Sequence, residues 1–573
     1  MTAGGRRLFA ALAILLLPVG AAAEVRFSPS DAPGRERERF VDPAPPRAQP
    51  GGDNISLPST VAPQGAERIT LTISRVVVTG ATVYSDADLA PLYADMMGAE
   101  VSLAAVYDLA RRITAKYGAA GYVLSRAIVP PQNFGRHGAV IRIQVVEGYV
   151  DQVIWPVEKL TRYRDFFTDY SARITADRPA NVRTLERYLL LANDLPGLRF
   201  STTLKPSPTH PNASILIVEV KEKAIDAIAR IDNRGTAARG PWQYLGSATV
   251  NNIFGAHEAF TVTYAGVFQL EELQYVQANY RQVLNSEGLT VFANGSYGAG
   301  RPGTEFLRSL DYRTKSAIVE AGLTYPVIRS RELNFLLTGL GFATDDRGDQ
   351  LGLPFTLDRI RGVRLKADAD WADSWLGVNQ VNFTFSQGIE GLGSTRSGDP
   401  TAPLPPVGVA IPSTNAGRVD FSKIEASFSR LQPLLPNFSA FVAAYGQYAF
   451  TPLLVSEQCS YGGRFFGRAY DPSQLLGDSC WAVLGELRYD FLTPWKQLTR
   501  LQAYAFADHG EVHNIMPALG TPINQSGSSV GAGVRAAWED TYTVTYTADV
   551  SVAKAIEGPR DDWRAFVILG AKY

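Results

Sequence analysis

Cys459 and Cys480 are the only cysteines in a chain of 573 residues, and they bracket the stretch CSYGGRFFGRAYDPSQLLGDSC. Two such thiols can close a disulfide around a glycine-rich loop, or stand unpaired on neighbouring strands. The compartment decides between them, because disulfides persist in oxidising surroundings. Arg6 and Arg7, the apolar run from Leu8 to Val19 and the small residues Ala21 to Ala23 read in that order as a secretory signal peptide. An uncleaved signal anchor is the alternative, but the run is short of the roughly 20 apolar residues a spanning helix needs. The exported reading makes a Cys459–Cys480 disulfide the expectation.

Other spacings that can carry chemistry fail on context. GAGRPG, Gly298 to Gly303, has the spacing of a dinucleotide loop but leads into proline and a loop instead of a helix. GSSVG, Gly527 to Gly531, has the spacing of a nucleophile elbow but opens a strand, where an elbow needs a strand-to-helix turn. His509 and His513 are four apart, a spacing that converges on zinc only on a helix. The expectation is a protein that is not an enzyme, with no catalytic residue, metal or cofactor. A formal net charge of −1 leaves no electrostatic footprint for nucleic acid.

The elements that must position the loop divide the chain. Residues 24–66 are rich in proline and glycine and read as a leader or linker whose helix-compatible stretch, Arg35 to Val41, is too short to stand alone in water. Residues 67–147 and 148–223 repeat one plan, a strand, a helix and two further strands. In the first copy Ser102 caps a helix whose Leu103, Val106, Ala110, Ile113 and Tyr117 share a face, with Gly118 as its stop. In the second copy the helix is NVRTLERYLLLANDLPG.

From residue 224 to 573 only strands are read. TYTVTYTADVSV sets Tyr546, Ala548, Val550 and Val552 against Thr547, Asp549 and Ser551, and KIEASFS sets Ile424, Ala426 and Phe428 against Lys423, Glu425 and Ser427. Such alternation, repeated with short and long connections in turn, is the pattern of a transmembrane β-barrel. No later apolar run could cross a membrane as a helix, so a membrane-spanning chain must close its strands. About sixteen strands are counted, with the cysteine-bracketed loop, about 451–480, between the eleventh and twelfth. The fold class is α+β modules followed by an all-β barrel of sixteen antiparallel strands.

YGAAGYVLSRAIVPPQ with VIRIQVVEGYV, LERYLLLANDLPGLRFSTTLKPS, the hairpin RIDNRGTAARGPWQYLGSATVNNIFGAHE and the loop GGRFFGRAYDPSQLLGD together resemble the outer-membrane transporters of two-partner (type V) secretion, the haemolysin secretion/activation proteins. These belong to the superfamily of polypeptide-transporting barrels. The resemblance implies two periplasmic POTRA modules, a barrel in the outer membrane of a Gram-negative bacterium and a pore loop folded inward. Its pore-loop residues fall on Gly467, Arg468 and Tyr470, with Ala469 where the family has glycine. Phe506, Asp508 and Gly510 on the thirteenth strand match the aromatic-x-Asp-x-Gly acceptor, which implies an ion pair between Arg468 and Asp508.

The implied partners are a secreted exoprotein client, β-helical with an N-terminal secretion domain, the outer-membrane lipid, and the barrel-assembly machinery. The alternatives are a barrel-assembly insertase and a diffusion porin.

Overall fold

The computed structural model describes residues 29–40, 44–50, 61–133, 138–403, 405–517, 521–540, 544–556 and 562–573. The expected signal peptide lies outside them. The first module is a four-stranded sheet ordered Glu100–Ser102, Thr70–Thr79, Ala139–Val146, Arg126–Ile128, with the two long central strands parallel. The Ser102 side chain accepts from Ala105 N and starts the helix Leu103–Ala119. Val106, Leu109, Ala110, Ile113 and Tyr117 of that helix are fully buried against Ile73, Ile141 and Ile143 of the sheet. The helix runs one residue past Gly118, and Gly121 takes the left-handed turn that follows (φ 92°).

The second module pairs Tyr149–Ile154, Ala213–Glu222 and Leu198–Pro206 in that order and packs helix Val182–Asn193 on them. A helix that the repeat plan lacks, Phe167–Ala176, lies beside it. Its signal is in the sequence: Phe167, Tyr170 and Ile174 face the core, and Asp165 Oδ1 accepts from Phe167 N and Thr168 N.

Sixteen strands then close a barrel. The seam joins the first, Ile225–Asp232, to the last, Trp563–Lys572, from Ile568↔Asp232 to Lys572↔Ile228. Alternation survives into the structure: Val550 is 52% exposed on the outer face while Ser551 beside it is 4% exposed in the lumen. The sixth to eighth strands, Arg313–Arg329, Leu333–Gln350 and Leu353–Ala372, run 17, 18 and 20 residues, well beyond the roughly 9–11 a bilayer requires.

Three periplasmic turns meet the second module. Arg164 N donates to Gly255 O (2.7 Å), Arg187 and Tyr188 bond Glu287 (3.1 and 3.0 Å), and Arg329 pairs with Asp194 (2.7 Å).

Candidate functional site

The pore loop leaves the eleventh strand, Phe438–Ala449, and returns on the twelfth, Ser479–Asp490. Within it Cys459–Tyr461 and Leu475–Gly477 form a small hairpin of their own. The Cys459–Cys480 disulfide, Cα to Cα 6.2 Å, ties that hairpin to the wall, where Cys480 pairs with Gln447 on one side and Val512 on the other. In the chain-entropy view a disulfide closing a loop of about 20 residues contributes about 3 kcal/mol.

The tip turns on Gly467 (φ 66°) and Gly462 (φ 121°); a Cβ at Gly462 would sit 2.2 Å from Asp471 O. Left-handed backbone of this kind is cheap only for glycine. Ala469 is not among the positive-φ residues, so alanine fits where the family pattern has glycine, and its carbonyl accepts from Arg564 (2.9 Å).

Asp508, on the thirteenth strand Leu498–His513, is 4% exposed and faces the lumen. Its Oδ1 accepts from Tyr461 Oη (2.5 Å), Gly467 N (3.0 Å) and Ser529 Oγ (2.7 Å), and its Oδ2 from Arg468 N (3.4 Å). The expected ion pair is therefore corrected. Asp508 holds the backbone of the tip, and the Arg468 guanidinium reaches past it to Glu486 Oε2 on the twelfth strand (2.5 Å). The acceptor sites of Asp508 are taken up by short-range donors, whereas Glu486 lies fully buried among three guanidiniums, Arg468, Arg488 and Arg535. A buried carboxylate needs such partners, because removal of either side leaves an uncompensated charge.

The remaining expected residues converge here too. The Arg468 guanidinium stacks over the Phe506 ring (4.5 Å). Tyr470 Oη accepts from Ser528 N (3.1 Å) and donates to Ser528 O (3.3 Å). Gly510 leaves room for the Tyr461 ring, which a Cβ would meet at 2.4 Å.

Sequence reasoning missed Glu486, Tyr461 and Ser529. The signal for Glu486 was present, since alternation in WAVLGELRYD puts Ala482, Leu484, Glu486 and Arg488 on the lumen face, two of them charged.

The leader supplies a second obstruction. Helix Glu36–Phe40 stands inside the barrel, where Glu36 and Arg39 are buried and Phe40 stacks on Tyr275 (5.7 Å). Arg35, 1% exposed, donates to the pore-loop carbonyls of Gln458 (2.7 Å) and Val455 (3.3 Å). Ser460 and Ser473 of the loop donate to Glu38 Oε2 (3.2 and 3.1 Å). Arg37 pairs with Glu320 on the sixth strand (2.9 Å), and Arg239 with Asp31 (3.6 Å). A helix this short cannot persist alone in water; these contacts order it.

Comparisons with known proteins agree with this arrangement. Residues 71–148 match the family model of the ShlB-type POTRA domain, and residues 369–534 that of the haemolysin secretion/activation protein ShlB/FhaC/HecB. The chain is 22% identical to the outer membrane transporter CdiB of Dickeya dadantii over 492 residues, 82% of this chain and 81% of that protein. It is 21% identical to the heme/hemopexin transporter protein HuxB of Haemophilus influenzae over 531 residues, 90% of each.

Among solved structures, CdiB from Escherichia coli superposes with a TM-score of 0.69 at 18% identity, covering 100% of this chain and 99% of that one. CdiB from Acinetobacter baumannii gives 0.58 at 14% identity, covering 92% and 94%. Two modules on the periplasmic side, a closed sixteen-stranded barrel and an inward loop tied to its wall are the arrangement of an outer-membrane transporter of two-partner secretion, in keeping with the match of residues 369–534 to the ShlB/FhaC/HecB model.

Proposed function

We propose that this barrel exports a secreted exoprotein whose unfolded chain is received by the POTRA modules, with the loop and the plug helix holding the bore shut between export events. The observation that carries the reading is the capture of the loop tip by Asp508, which receives Tyr461, Gly467 and Arg468 at once. These ties are polar and short-ranged, and the plug is joined to the loop by the same kind of contact. Such ties to an ionised group contribute about 1.5–3 kcal/mol each once exchange with water is counted, which suits a closure that must open and reseal. Apolar packing of comparable area would not.

The modules offer free strand edges, of which Leu198–Pro206 is the longest in the second module. An edge of this kind binds extended polypeptide through backbone hydrogen bonds with little demand on sequence. The client in this reading is β-helical with an N-terminal secretion domain, its folding outside drives export without catalysis by the transporter, and the barrel-assembly machinery inserts the barrel. The test is co-expression with the exoprotein encoded beside it, scored by its appearance in the medium. Export should require the first module, and deletion of Ile69 to Val146 should stop it in a barrel that still inserts. Export at the wild-type rate by an inserted Arg468→Ala barrel would show that the loop closure has no part in it.

A further inference from the structure

Beneath the folded loop, between the plug helix and the wall, lies a cavity of about 900 Å³. Ten basic side chains line it against five carboxylates. The pairing makes the imbalance sharper than the count. Glu320 is held by Arg37 (2.9 Å) and Arg364 (3.2 Å), and Glu457 by Arg364 (2.6 Å) and Lys423 (2.9 Å). Glu425 lies 3.7 Å from the same Lys423, Asp549 is bonded by Arg535 (2.8 Å), and Glu38 by Arg35 (2.8 Å). Every carboxylate on the cavity wall is thus already engaged by a base.

Lys366 of the eighth strand makes no ion pair among the described residues, and Arg500, near the periplasmic start of the thirteenth strand, donates to the neutral Gln502 Oε1 (2.9 Å) and reaches a carboxylate, Asp490, only at 4.0 Å. Both point into the same space.

We propose that this cavity is an anion-binding vestibule and that the ion current through the plugged barrel is anion-selective. Walls of low dielectric lined by one sign of charge concentrate counter-ions, and rings of Arg and Lys are how pores select anions. The ligand class is small anions, with carboxylate- or phosphate-bearing groups favoured because guanidinium meets them with two parallel bonds.

The full-length chain in planar bilayers under a KCl gradient tests this. Chloride should permeate several-fold better than potassium at low salt, and the preference should shrink toward 1 M salt, where screening acts within about 3 Å. Lys366→Glu with Arg500→Glu should bring the ratio to one or below, while Lys221→Glu, exposed on the second module, should leave it unchanged. Tripolyphosphate on the periplasmic side should reduce the current more than spermine does. A cation-preferring or unselective current in the wild type, no detectable current, or a double variant with wild-type selectivity would each overturn the proposal.

Discussion

The Arg468 guanidinium bonds Glu486 while the Arg468 backbone N–H faces Asp508, so one residue of the loop tip is held by two neighbouring strands through two different groups. The side chain reads one strand and the main chain the next, and the tip cannot shift along the wall without breaking both.

Separate roles follow for the two carboxylates. Glu486→Ala removes the counter-ion of the buried Arg468 guanidinium and one that Arg488 and Arg535 share, Arg535 keeping Asp549, and should cost about 3–5 kcal/mol of local order. Asp508→Ala should free the tip but leave the Glu486 cluster intact. Trypsin added to intact cells would then cut at Arg464 or Arg468 in both variants and spare the wild type. A Glu486→Ala barrel as resistant as wild type would show that its ion pair does not order the loop.

Gly510→Ala should displace the hairpin, because the added Cβ would stand 2.4 Å from Tyr461. Gly246→Ala on the second strand, where nothing lies within 4 Å, is the matched control. Tyr461 fluorescence quenching or exchange protection of the hairpin amides should change in the first variant alone.

Reduction of the disulfide, or Cys459→Ser with Cys480→Ser, should lower the stability of the hairpin by about 3 kcal/mol and leave the barrel folded. Heat-modifiable migration on gels reads the barrel, and protease sensitivity between residues 459 and 480 reads the loop. If both are unaffected, the tether adds nothing to the hydrogen bonds at Asp508.

Arg35→Ala should loosen the plug, since Arg35 donates to two loop carbonyls and, within the plug, pairs with Glu38, which accepts from Ser460 and Ser473 of the loop. Longer and more frequent open events in bilayer recordings are expected, with export of the client retained. Unaltered opening statistics would locate the hold on the plug elsewhere, at Arg37 or Arg39.

Acid should weaken the joint between the second module and the barrel. His257, in the periplasmic turn before the third strand, is fully buried beside Phe166 (4.8 Å) and Tyr163 (6.0 Å), and its Nε2 donates to Arg164 O (2.6 Å). Burial pushes its imidazole below the ordinary histidine value, against the backbone bond and Glu258, which favour the charged form, while the Arg164 guanidinium adds to the depression. The docked state therefore prefers neutral histidine. Its contribution is complete above the ordinary value of about 6.5 and is lost as pH falls through the depressed one. Spin labels at Glu158→Cys and Lys496→Cys should report a distance that broadens on acidification, and His257→Gln should remove the pH dependence. Equal distributions at pH 5 and pH 7.5 in the unsubstituted joint would refute it.

Much of this was readable from residue order, for local reasons. Period-two alternation survives because each barrel residue faces either lipid or lumen, so Val550 and Ser551 declare their sides without tertiary information. Gly467, Arg468 and Asp508 could be matched by motif, and all three meet in space. The partner of the Arg468 side chain could not be matched in this way. It depends on how far a guanidinium extends from a turn whose geometry the positive-φ glycines Gly462, Gly463 and Gly467 set, and on Glu486, one lumen-facing acid among several. The plug helix was legible only as a stretch able to be helical, because what orders it is contributed by residues more than 200 positions away, from Tyr275 and Glu320 to Gln458 and Ser473.

The leader below the plug is pinned a second time at the periplasmic mouth, where Ala48 N bonds Asp370 (2.5 Å) and Gln49 N bonds Arg331 O (2.9 Å). The stopper is thus anchored at its two ends by different parts of the protein, at its tip by the pore loop and at its foot by the eighth strand and the turn before the seventh, so that releasing either end alone leaves the other still holding it.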